Sequence, residues 1–145
     1  MSQAMPGPGR IAYDFAVLRA VPHVYRGEFS AIGVILHART ADYLGIRTLP
    51  DGPLLRHRTA GVDHNLLLRY LASYAEICAG NPSGGAIALA PPSERFHWLT
   101  APRSDVLQMS PLHEGLCDDP AIALSELFVA YVSSDGMEME PVAIA

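Results

Sequence analysis

Ile32-Gly33-Val34-Ile35-Leu36 is the stretch that decides the fold of this 145-residue chain. A short continuous apolar run that is rich in β-branched side chains predicts a strand buried on both faces. Gly33 inside the run indicates a close backbone approach or a β-bulge. The run therefore predicts a strand in the core of the protein.

The neighbouring segments predict the partners of this strand. Residues 11–21 alternate loosely between polar and apolar positions until Pro22 ends them, which indicates a first strand. Residues 43–47 predict a third strand, and residues 39–42 are expected to form the hairpin loop before it. We expect the first two strands, near residues 11–22 and 28–38, to be adjacent and antiparallel.

Two helices are expected. The first lies near residues 63–79, because Asp63 can cap its start, an apolar stripe repeats every three or four residues, and Gly80 can end it. Asp119-Pro120 is typical of the start of a second helix. The side chains expected to pack the first helix on the sheet are Leu67, Leu71 and Tyr74.

The segment between these helices is predicted to form strands. Residues 86–90 predict a short strand, and residues 96–99 and 106–109 predict a pair of strands joined by a turn. The order of elements predicts an α+β fold, an antiparallel sheet with two main helices packed on it as a two-layer sandwich. We expect residues 11–133 to form a single domain, with flexible tails at residues 1–10 and 134–145.

Composition excludes several classes of function. The net charge of −5 and the pI near 5.6 argue against nucleic acid as a ligand, since phosphate binding needs a basic surface. No apolar run approaches the ~20 residues of a membrane-spanning helix. Residues 1–10 lack the apolar core of a signal peptide, so we expect a soluble cytoplasmic protein. Cys78 and Cys117 lack the spacing of a metal site, and no phosphate loop is present, so neither metal nor cofactor is expected.

Residues 93–117 carry an unusual density of polar side chains and the only Trp. Two interpretations stay open: an alternating strand with Phe96 and Trp98 in the core and its polar face in solvent, or a patch for an anionic ligand. Likewise, Arg26 and Glu28 either pair with each other or with Arg19 and fix the hairpin, or they recognise a carboxylate or phosphate. No catalytic residue is assigned. The candidate binding residues are Arg26, Glu28, Arg95, His97, Arg103, Gln108 and His113.

Two segments, residues 13–22 and residues 26–36, resemble the start of the family catalogued as domain of unknown function 3037. The shared pattern is a tyrosine, an arginine and a proline, followed by Arg26-Gly27-Glu28-Phe29 and then by an apolar-Gly-Val run. Residues 93–117 and the Asp-Asp-Pro helix after them are similar to its C-terminal half. The resemblance covers about residues 11–133. It marks, without giving any of them a role, Arg19, Arg26, Gly27, Glu28, Gly33, Arg95, Trp98 and His113.

Such proteins are often encoded beside HipA-like kinases in actinobacterial genomes, so the resemblance implies a protein partner of that kind. The first hypothesis is therefore a cytoplasmic accessory or binding protein, with a homodimer left open. The alternative is a small hydrolase or transferase that uses His97 or His113 with Glu94 or Glu114, and arginines that hold an anion. Single-stranded nucleic-acid binding is a third hypothesis, which the acidic charge disfavours; it would use Phe96, Trp98, Arg95 and Arg103.

Overall fold

The computed structural model describes residues 10–21, 30–102 and 106–133. Its strands are β1 (Ile11–Ala20), β2 (Ser30–Ala38), β3 (Tyr43–Thr48), β4 (Leu107–Met109) and β5 (His113–Cys117). Its α-helices are α1 (Pro53–Arg58), α2 (His64–Ala79), α3 (Pro92–Thr100) and α4 (Pro120–Phe128). Short 3-10 turns cover Arg39–Ala41, Pro82–Gly84 and Ala86–Leu89, and a π-helical turn, Val129–Ser133, follows α4. None of the helices in these ranges is long and apolar enough to cross a membrane.

The five strands form one antiparallel sheet with β1 at its centre. β2 pairs with one side of β1 and with β3, whereas β4 and β5 follow one another along the other side of β1. The prediction that the first two strands are adjacent and antiparallel is therefore confirmed. The α+β class is confirmed as well.

Gly33 marks both of the features that the sequence predicted for it. Leu18 pairs with Gly33 but Arg19 pairs with Ala31, so one extra residue of β2 bulges out of the ladder. A Cβ atom on Gly33 would lie 2.9 Å from the carbonyl oxygen of Arg47 on β3. Only glycine therefore allows β3 to approach β2 this closely.

A second irregularity separates β4 from β5. Leu18 pairs with Met109 and Phe15 with His113, so the outer strand carries one more residue than β1 between these pairs. Ser110 holds the irregular segment: its amide donates to the Val17 carbonyl and its buried hydroxyl accepts from the Val17 amide, both at 2.9 Å. The two outer strands are thus anchored to β1 separately.

The helices cover both faces of the sheet. Arg47 pairs with Val34, three residues before His37 on β2, so Arg47 and His37 point to opposite faces. The Phe96 ring of α3 lies 5.2 Å from the His37 ring, and the Arg47 guanidinium lies 4.9 Å from the Phe128 ring of α4. α3, with α2 packed against it, therefore covers the His37 face, and α4 covers the Arg47 face.

Both predicted helices are present. The Asp63 carboxylate accepts from the Leu66 amide at the start of α2, and Gly80 ends that helix in the left-handed conformation with φ +73°. Leu67, Leu71 and Tyr74 are buried, as predicted. Asp119 caps α4 in the same way, with Pro120 at its first position.

Two predictions between these helices were wrong. Residues 96–99 lie in α3 rather than in a strand, because Pro91 and Pro92 occupy the cap and first turn of a helix, where proline is tolerated. Where a strand was predicted at residues 86–90, Ala86–Leu89 form a 3-10 turn, since the Ala88 and Ala90 amides donate back to carbonyls three residues earlier. The strand predicted at residues 106–109 is confirmed as β4.

Candidate functional site

Three of the candidate residues, Arg26, Glu28 and Arg103, lie outside the described residues. The predicted tails lie outside them too, apart from Arg10. An anion-binding patch that combines the candidate residues Arg26 and Arg103 with Arg95 therefore stays a prediction.

Arg95 binds the protein's own backbone. From the first half of α3 its Nε donates to the Ala90 carbonyl at 2.8 Å, and its Nη1 donates to the Ile77 and Cys78 carbonyls at 3.0 and 2.8 Å. These two carbonyls belong to the last turn of α2, where a cation interacts favourably with the helix dipole. The geometry therefore gives Arg95 a structural role in joining α3 to α2.

The helical conformation changes the interpretation of the residues around His97. Phe96 and Leu99 are buried, three positions apart, whereas His97 lies on the exposed side of α3. Trp98 is partly buried and packs against the core, so the alternation of a polar and an apolar strand face does not apply here.

His113 lies in β5. It pairs with Phe15 of β1, and the two rings are 5.2 Å apart on the Arg47 face. His97 belongs to the helical layer on the opposite face. Gln108 is exposed on β4, opposite Arg19. The structure therefore does not bring His97, Gln108 and His113 together.

A cavity that the sequence did not predict lies on the His37 face, where β1, β2 and β5 meet. Its volume is ≈ 680 Å³. Glu114 pairs with Asp14 and Asp14 pairs with His37, so these three side chains form one row across the sheet. We name it the His37 cavity; its lining comprises Ala12, Tyr13, Asp14, His37, Arg39, Thr40, Glu114, Gly115 and Leu116.

The acidic and imidazole side chains of the His37 cavity lie in electrostatically unfavourable surroundings. Asp14 and Glu114 are like charges directly opposite each other on an antiparallel pair, an arrangement that is unfavourable in the absence of a cation. His37 is only 8 % exposed, and burial lowers the pKa of its imidazole. The sequence signal was present but weak: one acid in β1 and one histidine in β2, two largely apolar strands.

A second cavity, of ≈ 530 Å³, lies on the Arg47 face between β5 and α4. Burial, followed by the charges of Cys117 and Glu126, raises the pKa of Tyr13 in its wall. Burial, followed by Asp118 and Asp119, raises the pKa of the Cys117 thiol, so the structure does not favour a thiolate there. We name it the Tyr13 cavity; its lining comprises Tyr13, Leu116, Cys117, Asp118, Asp119, Ile122, Ala123, Glu126, Leu127 and Ala130.

β5 runs between the two cavities. It pairs with β1, and no other described strand pairs with its outer edge. Leu116 contributes to both cavities and is 66 % exposed. This edge thus offers unpaired backbone groups with a cavity on each face of the sheet.

Residues 10–21, 30–102 and 106–133 contain no cluster of side chains suited to binding a metal ion. No group of three or more His, Cys, Asp or Glu side chains there is arranged to hold a metal ion. Cys78 lies on the buried side of α2, where burial raises the pKa of its thiol to about 12 and the side chain packs with the hydrophobic core.

Comparison with known proteins gives one family. The model of the family described as protein of unknown function (DUF3037) matches residues 15–132. No curated protein and no solved structure matches the chain. The matched range contains most of β1 and all of β2 to β5. It also contains the residues that line both cavities, except for those at the start of β1.

Proposed function

We propose, from the premise that this chain belongs to the family described as protein of unknown function (DUF3037), that it is a cytoplasmic accessory protein that binds a partner protein. The family description names no activity, so the proposal rests on geometry. The partner contributes an extended segment that pairs with the outer edge of β5 as an added strand.

The observation that carries this proposal is the edge of β5 between two cavities, with which no strand of the described residues pairs. In strand addition, main-chain hydrogen bonds supply affinity, and pockets for alternate side chains supply specificity. Side chains of an added strand alternate between the two faces of the sheet. One set would therefore meet the His37 cavity and the other set the Tyr13 cavity.

The other edge of the sheet is less suited to this role. β3 packs against α2 and α3 on one side and α4 on the other. Arg47 of β3 donates to the Ser125 hydroxyl of α4 at 3.0 Å, which fixes a charged side chain along that strand. A charged, covered strand is the usual protection of a sheet edge against pairing. β5, with exposed Leu116, lacks this protection.

The charges around β5 favour a basic partner segment. One basic side chain, Arg39, lines the cavities, and acidic side chains outnumber it. Complementary charge steers association and disfavours wrong partners. The acidic residues of the two linings are Asp14, Glu114, Asp118, Asp119 and Glu126.

A HipA-like kinase, which the family resemblance implies, is the first partner to test at this edge. A homodimer that paired two copies of β5 would bring two acidic edges together, so charge disfavours it. The hydrolase or transferase hypothesis has no such support. His97 lines neither cavity, the successive β5 residues His113 and Glu114 point to opposite faces of the sheet, and Arg95 binds backbone carbonyls.

Leu116→Lys tests the proposal, because a lysine on an edge strand opposes strand pairing. Leu89→Lys is the matched control, since Leu89 is 68 % exposed and lines neither cavity. The wild type and both variants are immobilised, and proteins captured from lysate of the source cell are quantified by mass spectrometry. We expect Leu116→Lys to lose a basic partner that Leu89→Lys retains.

Hydrogen exchange then locates the contact. The reconstituted complex is expected to protect amides of β5 relative to the free protein, because an added strand engages them. Increased salt is expected to weaken the complex, since exposed charge pairs are screened. Capture that is equal for Leu116→Lys and wild type, or protection confined to other elements, would refute strand addition at β5.

A further inference from the structure

The His37 cavity holds charges of opposite sign that do not neutralise each other. Asp14 and Glu114 stand on the β1–β5 wall, and Arg39 stands in the turn after β2. In the described part of the chain, the ion pairs all involve Asp51, and none joins Arg39 to either carboxylate. A molecule that carries both an anionic and a cationic group could bridge the two walls.

His37 supplies a second, independent indication of a ligand. Its side chain is more than nine-tenths buried, lines the cavity, and makes no hydrogen bond to any of the residues that the structure describes. Neither ring nitrogen is among the fully enclosed atoms of the described residues that lack a partner, so both keep some access to solvent. The ring is held against Phe96 on its other side, so the cavity is where a partner can reach it.

The protonation of His37 defines which partner it can take. Burial lowers the pKa of the imidazole, with Arg39 acting in the same direction and Asp14 and Asp42 against it. The ring is therefore neutral near pH 7 and offers one nitrogen as an acceptor. An ammonium N–H group is a suitable donor, because the two carboxylates beside it favour a cation.

We propose that the His37 cavity binds a free α-amino acid: its carboxylate pairs with Arg39, and its ammonium group pairs with Asp14 and Glu114 and donates to His37. The volume of ≈ 680 Å³ lies within the range of about 300–1,000 Å³ typical of small-molecule sites. Ala12 and Leu116 form the apolar part of the lining, which favours an apolar side chain such as that of leucine. The same cavity faces the side chains of the proposed added strand, so a bound amino acid and a partner segment would compete for it, whereas the isolated protein tests the amino acid alone.

Three related molecules test the requirement for both charges. The isolated protein is titrated with L-leucine, with isopentylamine, which lacks the carboxylate, and with 4-methylpentanoate, which lacks the ammonium group. Binding is followed through the His37 ring signals in two-dimensional NMR, assigned with His37→Gln. We expect leucine to shift these signals and each truncated molecule to bind at least about tenfold more weakly. Glycine, titrated in parallel, reports on the backbone groups alone.

Variants locate the contacts. Asp14→Asn and Arg39→Gln are each expected to weaken leucine binding by about tenfold. Arg56→Gln is the control, because Arg56 is exposed and pairs with Asp51 outside the cavity. Circular dichroism confirms that each variant is folded.

Two results would overturn the inference: no shift with either leucine or glycine, or a truncated molecule that binds as tightly as leucine. The titration needs no partner protein. If strand addition at β5 is refuted, the result of this titration is therefore unaffected, and a negative titration likewise leaves strand addition standing.

Discussion

Replacement of Arg95 by alanine is expected to destabilise the protein rather than to remove a ligand. The change deletes three hydrogen bonds from a charged group, to the carbonyls of Ala90, Ile77 and Cys78. Each such bond contributes about 1.5–3 kcal/mol. Arg95 is only partly buried and the Ile77 carbonyl keeps the bond from the Gly80 amide, so we expect a total loss of about 2–4 kcal/mol.

Thermal and urea unfolding followed by circular dichroism measure this loss. At about 3 °C per kcal/mol for a chain of this size, the Tm should fall by about 6–12 °C. Arg69→Ala is the control, because Arg69 is an exposed arginine of α2 with no ion pair to a described residue; it should stay within about 0.5 kcal/mol of wild type. An Arg95→Ala protein that kept its stability but lost a ligand or partner would refute the structural role.

Two further perturbations test the sheet. Because burial lowers the pKa of His37, the unfolded chain binds a proton before the folded protein does as the pH falls through the ordinary value of about 6.5, so the free energy of unfolding should decrease toward acid pH. Urea unfolding between about pH 7.5 and about pH 5.5 should show a shallower decrease for His37→Gln than for the wild type. Equal slopes would contradict this role of His37. Gly33→Ala should lower the free energy of unfolding by about 1–3 kcal/mol, because the new Cβ atom would press on the Arg47 carbonyl oxygen. Gly52→Ala is the control and should lower it much less in the same assay, since the nearest atom to its Cβ would be 3.9 Å away. Equal losses would show that β3 moves away freely.

Local pattern was enough to predict β1, β2, β3 and α2. Each of these elements carries its own period, stop signal or cap within a few residues, as Asp63 and Gly80 do for α2. α3 was missed because Pro91-Pro92 was interpreted as the end of one strand and the prelude to another, although proline is equally compatible with the first turn of a helix. Most of the polar side chains at residues 93–100 therefore belong to the exposed side of that helix.

The candidate site depended on information that no local pattern contains. Asp14, His37 and Glu114 become neighbours through the register of three strands that are far apart in sequence. Singly, each is an ordinary polar residue of a strand. Arg95 and His113, which stood out in the sequence, are explained by backbone hydrogen bonds and by packing on Phe15.

The irregular segment at Ser110 limits how much of a partner the outer strand can take. A regular ladder on this edge can span the five residues of His113–Cys117, about 17 Å, before the extra residue interrupts it. A recognised motif would therefore be short and linear. The same interruption protects the protein: deleting one residue between Met109 and His113 would join β4 and β5 into a single long, straight edge, and such edges promote self-association into aggregates.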